Sequence, residues 1–595
     1  MHCIRKFNLS ILALLMGAAM LTAVAQSPNA QTAKPAISER DWWKNAVIYE
    51  IYPRSFQDSN GDGIGDLNGI TARLDYLKEL GIDAIWLTPC YPSPQVDFGY
   101  DISDYKNIDP KYGTLADFDR LVAEARKRHI RILMDMVMNH SSDQHKWFLE
   151  SRSSRENPYR DWYIWRDGKG ETATDKGLPP SNWQSYFGHS AWQWDEKTRQ
   201  YYYHKFYIQQ PDFNWNNPKV HEAFKDIIRF WLKRGVGGFR FDAITELFED
   251  PALTDEGYVL DKDGNREINA YGDPVVDNTK TSNLPGLHTV VQEMRATADT
   301  FAANDFPGTR VMIGETYLPN IAELAKMYGP AGKPEFHLPM DTQVGFINKL
   351  DVATFRAKLT DAESGMGDHV PLLLFDNHDN QRLQARYGDG AHDTEIQRAL
   401  SAVLFLSRGA AQFYYGDEIG MLTTPPTRKE DVKDPIGITG WPKEKGRDGE
   451  RTPMQWNATA NAGFTTASAT PWLPVPPSAA TINVAAEKRD SNSLLAWYES
   501  VIHLKKSDPS LALGAETMLD ASNSKVLSWL RKAPGAAPVV VSVNFTAEPQ
   551  TVSLSVPGST GKLKTLLKSP GAADPASLKR ITLAPFGVYA GQILP

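Results

Sequence analysis

The chain contains 595 residues, enough for two or three domains, and its composition is that of an ordinary globular protein with many aromatic residues. Its formal net charge at pH 7 is −8, and no long run of lysine and arginine offsets that balance. The charge argues against a nucleic-acid-binding protein, so no nucleic-acid partner is expected.

The first 25 residues have the pattern of an export signal. Two basic residues precede an apolar run over residues 11–24, which closes on Ala-Val-Ala, a small-residue cleavage pattern. A retained membrane anchor is the alternative, although the run is short for a bilayer span. We expect residues 1–25 to be removed as a signal peptide and residues 26–40 to form a flexible polar lead-in. The mature protein should then be periplasmic or extracellular and free of the membrane.

From residue 41 onward, short apolar runs alternate with stretches of helical periodicity. Residues 67–81 and 115–129 keep apolar side chains at helical spacing, and strand-like runs recur along the chain. The predicted strands are 46–52, 83–89, 130–137, 237–243, 310–315, 343–350, 370–377 and 410–418, the sixth of them being weak. Eight alternating units predict an α/β fold, a (β/α)8 TIM barrel built from residues 41–139 and 216–510.

Two segments break this alternation. Residues 140–215 are rich in Trp, Tyr, Asp and Gly and lack helical periodicity, which indicates an irregular subdomain inserted after the third strand. Beyond about residue 510, β-rich runs such as PVVVSVNFT are separated by Pro and Gly turns. Residues 511–595 are therefore expected to form a C-terminal all-β domain, a β-sandwich.

The sequence DSNGDGIGDLNG at residues 58–69 has some features of a calcium-binding loop. Oxygen donors occupy alternate positions and a glycine the sixth, but the twelfth position, which an EF-hand fills with a bidentate Glu, is Gly69. The sequence predicts no helix entering the loop from its N-terminal side, so we do not interpret it as an EF-hand. A structural cation site and a plain Asp/Gly turn without metal are the two interpretations.

Acidic residues follow several predicted strands, where a parallel barrel carries its catalytic groups. Four of the strands run into DMVMNH, GFRFD, IGE and FDNHD. Asp242 and Glu315 end neighbouring strands, about 4.8 Å apart in any sheet, which fits the roughly 5 to 5.5 Å carboxyl separation of a retaining glycoside hydrolase. Arg240 should keep Asp242 ionised as a nucleophile. Glu315, the expected acid, should lie where positive charge is scarcer.

The motifs DMVMNH, GFRFDAI, IGET and FDNHD resemble, in order, the four conserved regions of the α-amylase superfamily, glycoside hydrolase family 13. QPDFNW at residues 210–215 and ERTPMQW at residues 450–456 resemble signatures of its oligo-1,6-glucosidase/α-glucosidase branch. The resemblance covers about residues 41–510 and is very specific, whereas the C-terminal domain matches only in its position and in its β-rich sequence pattern.

The resemblance implies roles for individual residues. Asp242 would be the nucleophile, Glu315 the general acid/base, and Asp379 the acid that binds two sugar hydroxyls and stabilises the transition state. The terminal glucose would be contacted by Asp97, Tyr100, His140, Arg240 and His378, with Arg451 as the partner of Asp97. Phe187 and Phe206 would be aromatic pocket walls, core packing being the alternative for each.

For the loop after the first strand, the resemblance implies a structural Ca²⁺ or Mg²⁺ and no organic cofactor. Its ligands would be Asp58, Asn60, Asp62, the Ile64 carbonyl and Asp66. His145, close after His140, invites a second metal hypothesis, but the acids account for the chemistry and no third ligand is evident.

These inferences predict a secreted, exo-acting, retaining α-glucosidase that cleaves small α-glucosides or oligosaccharides through a covalent β-glucosyl-Asp intermediate. In this branch the residue after the nucleophile tends to follow linkage, Val with α-1,6 and Ala or Thr with α-1,4, so Ala243 favours α-1,4 and related α-glucosides. Transglucosylation or isomerisation through the same intermediate is an open alternative. An endo-acting amylase is less expected, as is a non-catalytic amylase-like transporter subunit, because such subunits carry a membrane span and have usually lost catalytic acids.

Overall fold

The computed structural model describes residues 38–172, 174–301 and 308–595, so the predicted signal peptide and most of the predicted lead-in lie outside the described residues. Across those described ranges, no helix combines the length and the apolar character needed to cross a membrane.

Eight parallel strands close into a barrel in the order in which they follow along the chain. The strands are β1 (Val47–Ile51), β2 (Ala84–Leu87), β3 (Arg131–Val137), β4 (Gly238–Asp242), β5 (Val311–Gly314), β6 (Leu338–Asp341), β7 (Leu372–Leu373) and β8 (Ala410–Tyr414). All of their residues are buried, as expected of parallel strands with helices outside and packed side chains inside. The predicted (β/α)8 TIM barrel is confirmed.

The helices connect and cover these strands. The α-helices are Pro53–Phe56, Leu67–Ala72, Leu74–Leu80, Leu115–Lys127, Lys146–Ser151, Pro218–Lys233, Gly286–Asp299, Ile321–Lys326, Thr342–Gly345, Val352–Gly365, Leu383–Tyr387, Asp393–Leu406, Pro435–Gly440, Val484–Glu487, Leu494–Ser507 and Pro509–Leu513. Short 3₁₀ turns are Trp42–Asn45, Arg160–Trp162, Ile244–Glu246, Asp417–Ile419, Lys429–Asp431, Ala460–Gly463 and Pro477–Ala480.

The sixth strand differs from its prediction. Residues 343–350 begin instead within the helix Thr342–Gly345, whose start is capped by the Asp341 carboxylate, which accepts a hydrogen bond from the Gln343 N–H at 3.0 Å. The strand itself, β6, precedes that helix and contains Pro339, a residue that argues against a central strand when only the sequence is read.

Strand periodicity places charged groups directly above an apolar layer inside the barrel. Ile48, Leu133 and Ile313 belong to one buried apolar cluster. Residues two positions apart in a strand share a face, and two positions beyond these three come Glu50, Asp135 and Glu315. Acidic side chains therefore line the carboxyl ends of the strands, directly above a layer of packed apolar side chains.

The inserted segment after β3 forms a small three-stranded antiparallel sheet. Its central strand is Gln200–Tyr203, flanked by Trp165–Arg166 and Trp192–Asp195, and a cluster of buried tryptophans and tyrosines packs around it. Most aromatic residues of this segment are thus core rather than sugar platforms.

The C-terminal part is all-β, as predicted. A five-stranded antiparallel sheet contains, in spatial order, Ala515–Leu519, Val526–Lys532, Val539–Asn544, Val588–Ile593 and Leu563–Lys568. A two-stranded sheet pairs Gln550–Val552 with Ile581–Leu583.

Candidate active site

A cavity of about 400 Å³ lies at the carboxyl ends of the barrel strands. Five carboxyl groups contribute to its lining, those of Asp97, Asp242, Glu246, Glu315 and Asp379. Five aromatic rings do so as well, those of Tyr100, Tyr186, Phe187, Phe206 and Tyr317. His140, Ala243 and Arg447 are also at its surface. Acids set among aromatic rings are suited to binding a polar ring such as a sugar.

Arg240 joins the two expected catalytic acids. Its side chain is completely buried, with Nη1 2.5 Å from Asp242 Oδ1 and Nη2 2.6 Å from Glu315 Oε1. The pairing of Phe241 with Gly314 across β4 and β5 makes the two following residues neighbours. One guanidinium thus spans both carboxyl groups, which agrees with the short separation that retaining chemistry needs.

The expectation that Glu315 avoids positive charge is therefore wrong, because it contacts the same cation as Asp242. Burial raises the pKa of Glu315 to about 8, and Arg240 only opposes that rise. Burial also raises the pKa of Asp242, to about 7, again with Arg240 opposing. Glu315 keeps its proton at neutral pH through desolvation rather than through distance from a cation.

Asp135 is a member of this cluster that the sequence motifs did not single out. It is paired with Arg240 across β3 and β4, and both of its carboxylate oxygens lie 3.2 Å from Arg240 Nη1. The same carboxylate accepts hydrogen bonds from Trp86 Nε1 and the Tyr100 hydroxyl, each at 3.1 Å. Its signal was its place inside DMVMNH, two residues before the end of β3.

Asp379 and His378 lie in the loop that follows β7. The strand ends at Leu373, earlier than predicted, so both side chains are carried by the loop rather than by the strand. His378 Nδ1 lies 2.6 Å from Glu50 Oε1 on β1, and its Nε2 lies 3.4 Å from Asp379 Oδ2. The His378 ring stacks on Tyr100, with the ring centroids 5.3 Å apart. Burial holds the pKa of His378 well below its usual range, so the ring is neutral.

The predicted partner of Asp97 is corrected by the structure. Arg447 Nη2, not Arg451, lies 2.8 Å from Asp97 Oδ1, and Arg447 Nη1 lies 2.8 Å from Asp379 Oδ1. Arg451 is buried behind the cavity, where its Nη2 lies 2.7 Å from Asp379 Oδ1 and its Nε donates to the His378 carbonyl at 2.9 Å. Arg451 binds Asp379 and does not contact Asp97. The contact with Asp97 at the cavity is made by Arg447, which lies just before the ERTPMQW motif.

These two arginines set the charge of Asp379. Burial alone would raise the pKa of that carboxyl, but the positive charges of Arg447 and Arg451 hold it well below its usual range. The Asp379 carboxyl is therefore an anion near neutral pH. An anion is what the implied role of binding sugar hydroxyls and stabilising a cationic transition state requires.

Gln210 bridges two other predicted sugar contacts. Its Nε2 lies 3.2 Å from Asp97 Oδ2 and 3.1 Å from His140 Nε2. Burial raises the pKa of Asp97 to about 6 and lowers that of His140 to about 3, so the imidazole is neutral. Gln210 is the first residue of QPDFNW, which was the available signal for it.

Phe187 and Phe206 both lie on the cavity surface, with their ring centroids 5.4 Å apart. The Phe206 ring is 5.0 Å from that of His140, and the Arg447 guanidinium lies 5.5 Å from the Phe187 ring. The structure thus places the two rings as cavity walls beside the acids, with the core-packing alternative not realised.

Ala243 has a backbone role beside the acids. Strand β4 ends at Asp242, and Ala243 adopts the left-handed region, with φ at 43°. Its N–H donates to Glu315 Oε2 at 2.7 Å, and the residue lines the cavity. This bond holds the Glu315 carboxyl next to Asp242.

The loop at residues 58–66 is tightly hydrogen-bonded within itself. The Asp58 carboxylate accepts from the N–H groups of Asn60, Gly61 and Gly63 at 2.7 to 2.9 Å. The Asp66 carboxylate accepts from the N–H groups of Ser59 and Gly69 at 2.8 and 2.7 Å. Two further hydrogen bonds lie within the turn. Asn60 Oδ1 accepts from the Asp62 N–H, and Asp62 Oδ1 accepts from the Ile64 N–H.

The chemistry of this donor set suits a hard cation, because all the predicted ligands offer oxygen. Among the residues that the structure describes, no group of three or more His, Cys, Asp or Glu side chains is arranged as a metal site. The cation at this loop stays a prediction. His145 has a structural role, as its Nδ1 accepts the Trp147 N–H at 3.1 Å and caps the helix Lys146–Ser151.

A family model described as the catalytic domain of α-amylase matches residues 50–514. The chain belongs to the α-amylase family of glycoside hydrolases. The recognition made from the motifs is confirmed, and the extent of the match agrees with the barrel, its inserted subdomain and the start of the C-terminal part.

Among similar members of the α-amylase family, a probable α-glucosidase of Rhizobium meliloti (strain 1021) is 42% identical over 500 residues, covering 83% of this chain and 87% of that protein. An oligo-1,6-glucosidase of Parageobacillus thermoglucosidasius is 38% identical over 584 residues, covering 92% and 98%. The crystal structure of the trehalulose synthase MutB from Pseudomonas mesoacidophila MX-45 superposes with a TM-score of 0.82 at 35% identity, covering 93% of this chain and 99% of that one.

Proposed function

We propose that the protein is an exo-acting, retaining α-glucosidase that cleaves terminal α-glucosidic bonds of small α-glucosides. The observation that carries the proposal is the Arg240 cluster, in which one buried cation contacts both Asp242 and Glu315. Burial raises the pKa of both carboxyl groups, but the hydrogen bond from Arg240 lowers that of Asp242 and the charge of Asp242 further raises that of Glu315, as a nucleophile and an acid require. The names of the relatives, an α-glucosidase and an oligo-1,6-glucosidase, support the substrate class.

In the first step, Asp242 attacks the anomeric carbon while Glu315 gives its proton to the leaving oxygen. The glucosidic bond breaks, the aglycone departs as an alcohol, and a β-glucosyl ester forms on Asp242. In the second step, Glu315 removes a proton from water, the water oxygen attacks the anomeric carbon, and the ester bond breaks. Asp379, held as an anion, stabilises the positive charge that develops in both transition states.

Exo action is supported by the ion pair between Arg447 and Asp97. It links the loop after β2 to the segment after β8 and forms part of the cavity lining. Such a bridge beside the sugar-binding acids favours a pocket for one terminal glucose over an open groove for a polymer. Both side chains can also hydrogen-bond to sugar hydroxyls.

For linkage, we propose a preference for α-1,4 and related bonds, because Ala243 lies at the cavity beside the acid. A small side chain there leaves room for an aglycone approaching along the α-1,4 direction. The glucosyl group can be transferred from Asp242 to water or to a second sugar, so transglucosylation is part of the proposal. A solved structure of a MutB variant holds the substrate sucrose, which supports a small-disaccharide scale for such sites.

We further propose that residues 58–66 hold one Ca²⁺ or Mg²⁺ that stabilises the fold and takes no part in the reaction. Asp58, Asn60, Asp62, Asp66 and the Ile64 carbonyl would supply its oxygen ligands. The export signal over residues 1–25 supports a periplasmic or extracellular enzyme.

The test is the pair of variants Asp242→Asn and Glu315→Gln, assayed on maltose, isomaltose, sucrose and trehalose with a product profile for each. Both variants should fold as the wild type does and lose several orders of magnitude in kcat. Azide should restore turnover of Asp242→Gly, with a glucosyl azide as product. Retention of a tenth of the wild-type turnover by Glu315→Gln on an unactivated disaccharide would disprove the assignment.

A further inference from the structure

One carboxyl group of the cavity lining, that of Glu246, has no role in either the chemical steps or the binding of the terminal glucose. Glu246 closes the 3₁₀ turn Ile244–Glu246 directly after β4 and Ala243. It is buried, with 6% of its surface exposed, and it lines the cavity. A buried carboxyl at a ligand site is costly unless its hydrogen bonds serve a purpose.

Three hydroxyl groups donate to this carboxyl. Glu246 Oε1 accepts from Thr245 Oγ1 at 3.0 Å, from Ser282 Oγ at 2.9 Å and from the Tyr186 hydroxyl at 3.2 Å. All three donors line the same cavity. A hydroxyl has a single proton, so each of these groups, having given it to Glu246, can only accept a hydrogen bond from a ligand.

A buried lysine supports the ionised form of Glu246. Burial raises the pKa of Glu246, and Lys205 and the three hydroxyl donors oppose that rise. Lys205 donates hydrogen bonds to Asn278 Oδ1 at 2.7 Å and Thr281 Oγ1 at 2.9 Å. Burial lowers the pKa of Lys205, and the charge of Glu246 opposes that fall, so the two groups favour each other's charged forms. The Glu246 Oε2 atom has no hydrogen-bond partner among the described residues, so the bonding capacity of the carboxyl is not exhausted.

Thr245, Glu246, Ser282 and Tyr186 form one wall of the cavity, and the position of this wall identifies the part of the substrate that it would contact. Glu246 follows Ala243 by three residues, and the Ala243 N–H binds Glu315, the acid that protonates the leaving oxygen. The acids that bind the terminal glucose, Asp97 and Asp379, are instead held by Arg447. The wall of Thr245, Glu246, Ser282 and Tyr186 therefore adjoins the aglycone side of the bond that breaks.

We propose that Glu246 turns this wall into a surface of hydrogen-bond acceptors that selects an aglycone rich in hydroxyl donors, a sugar or another polyol, over an aryl or alkyl aglycone. The inference rests on the proposed α-glucosidase function and names the chemistry of the leaving group. Glu246 acts by setting the direction of three hydroxyl groups, so it is a specificity-determining residue and not a catalytic one.

The experiment compares two substrates that share the glucose and differ in the aglycone, maltose and p-nitrophenyl α-glucoside. The measured quantity is the ratio of their kcat/KM values. In Glu246→Gln, the amide donates to one of the hydroxyl oxygens and sends its proton toward the ligand. We expect the maltose-to-aryl ratio to fall by about tenfold, the discrimination that one misdirected hydrogen bond allows.

Glu418→Gln is the matched control. Glu418 is also buried and also accepts hydroxyl donors, Tyr49 and Tyr76, but it does not contribute to the cavity lining. Its substitution should leave the ratio unchanged. An equal fall of the ratio in both variants would mean that Glu246 only supports the fold, and would overturn the proposal.

Two further variants keep the test decisive if Glu246→Gln does not fold. Tyr186→Phe and Ser282→Ala each remove one acceptor hydroxyl, and each should lower the ratio by about threefold, since each contributes one bond of modest strength. An unchanged ratio in both would overturn the proposal while the wild type stays active on both substrates. A wild type inactive on both substrates would instead overturn the proposed α-glucosidase function, and the inference with it.

Discussion

Replacement of Arg447 tests how the pocket binds its sugar. The Arg447 guanidinium contacts three carboxylates, those of Asp97, Asp379 and Asp434, at 2.7 to 2.8 Å. Two of the three, Asp97 and Asp379, line the cavity. Arg447→Met removes the cation and leaves these buried anions without their shared partner.

The size of the effect follows from those two contacts. A hydrogen bond to a charged group contributes about 1.5 to 3 kcal/mol, so the loss of the contacts that hold Asp97 and Asp379 in place for the sugar amounts to about 3 to 6 kcal/mol. At 1.36 kcal/mol for each factor of ten, kcat/KM should fall by about 10² to 10⁴. Arg447→Lys should lose less, because an ammonium keeps the charge although it cannot span all three acids.

The assay is kcat/KM on p-nitrophenyl α-glucoside together with the melting temperature. Loss of Arg447 should also move the acid limb of the pH profile upward, because Arg447 opposes the burial that raises the pKa of Asp97 to about 6. Arg428→Met is the control, since Arg428 is exposed and pairs with Asp431 away from the cavity. A folded Arg447→Met enzyme with kcat/KM within threefold of wild type would refute the reasoning.

Three other outcomes are expected. The kcat/KM of the wild type should fall above about pH 8, where Glu315 loses its proton, and a profile flat to pH 10 would contradict that role. Chelation of divalent cations should lower the melting temperature, and Asp62→Ala should reproduce the loss in the presence of metal; a metal analysis without bound Ca²⁺ or Mg²⁺ would exclude the site. Ala243→Val should shift the maltose-to-isomaltose ratio of kcat/KM toward isomaltose by about tenfold, within what one or two methyl groups in a pocket can do, and an unchanged ratio would show that the branch tendency does not hold here.

The barrel and the positions of the two proposed catalytic acids could be predicted because they depend on local regularities. Parallel strands leave continuous apolar runs, and strand ends place Asp242 and Glu315 at one edge of the sheet. Pro339 hid the sixth strand because a proline breaks that pattern, although β6 still pairs with its neighbours.

The partners of the acids could not be predicted in the same way. Arg447 meets Asp97 across 350 residues of sequence, and no local pattern distinguishes it from Arg451, four positions later. Glu50 meets His378 across 328 residues. Such contacts depend on how the closed barrel brings distant loops together. A sequence motif therefore predicts the region of the site, but not which of its side chains makes a given contact.

The Arg240 cluster explains how one fold gives two similar carboxyl groups opposite tasks. One cation faces three buried carboxyls, Asp135, Asp242 and Glu315, and like charges so close cannot all be ionised. A proton must stay in the cluster, and we assign it to Glu315, because burial and the charge of Asp242 both raise the pKa of that carboxyl. The charge of Asp242 contributes to raising the pKa of Glu315. In the proposed mechanism, that charge disappears when Asp242 becomes a glucosyl ester, so the pKa of Glu315 falls and Glu315 becomes the base that activates water.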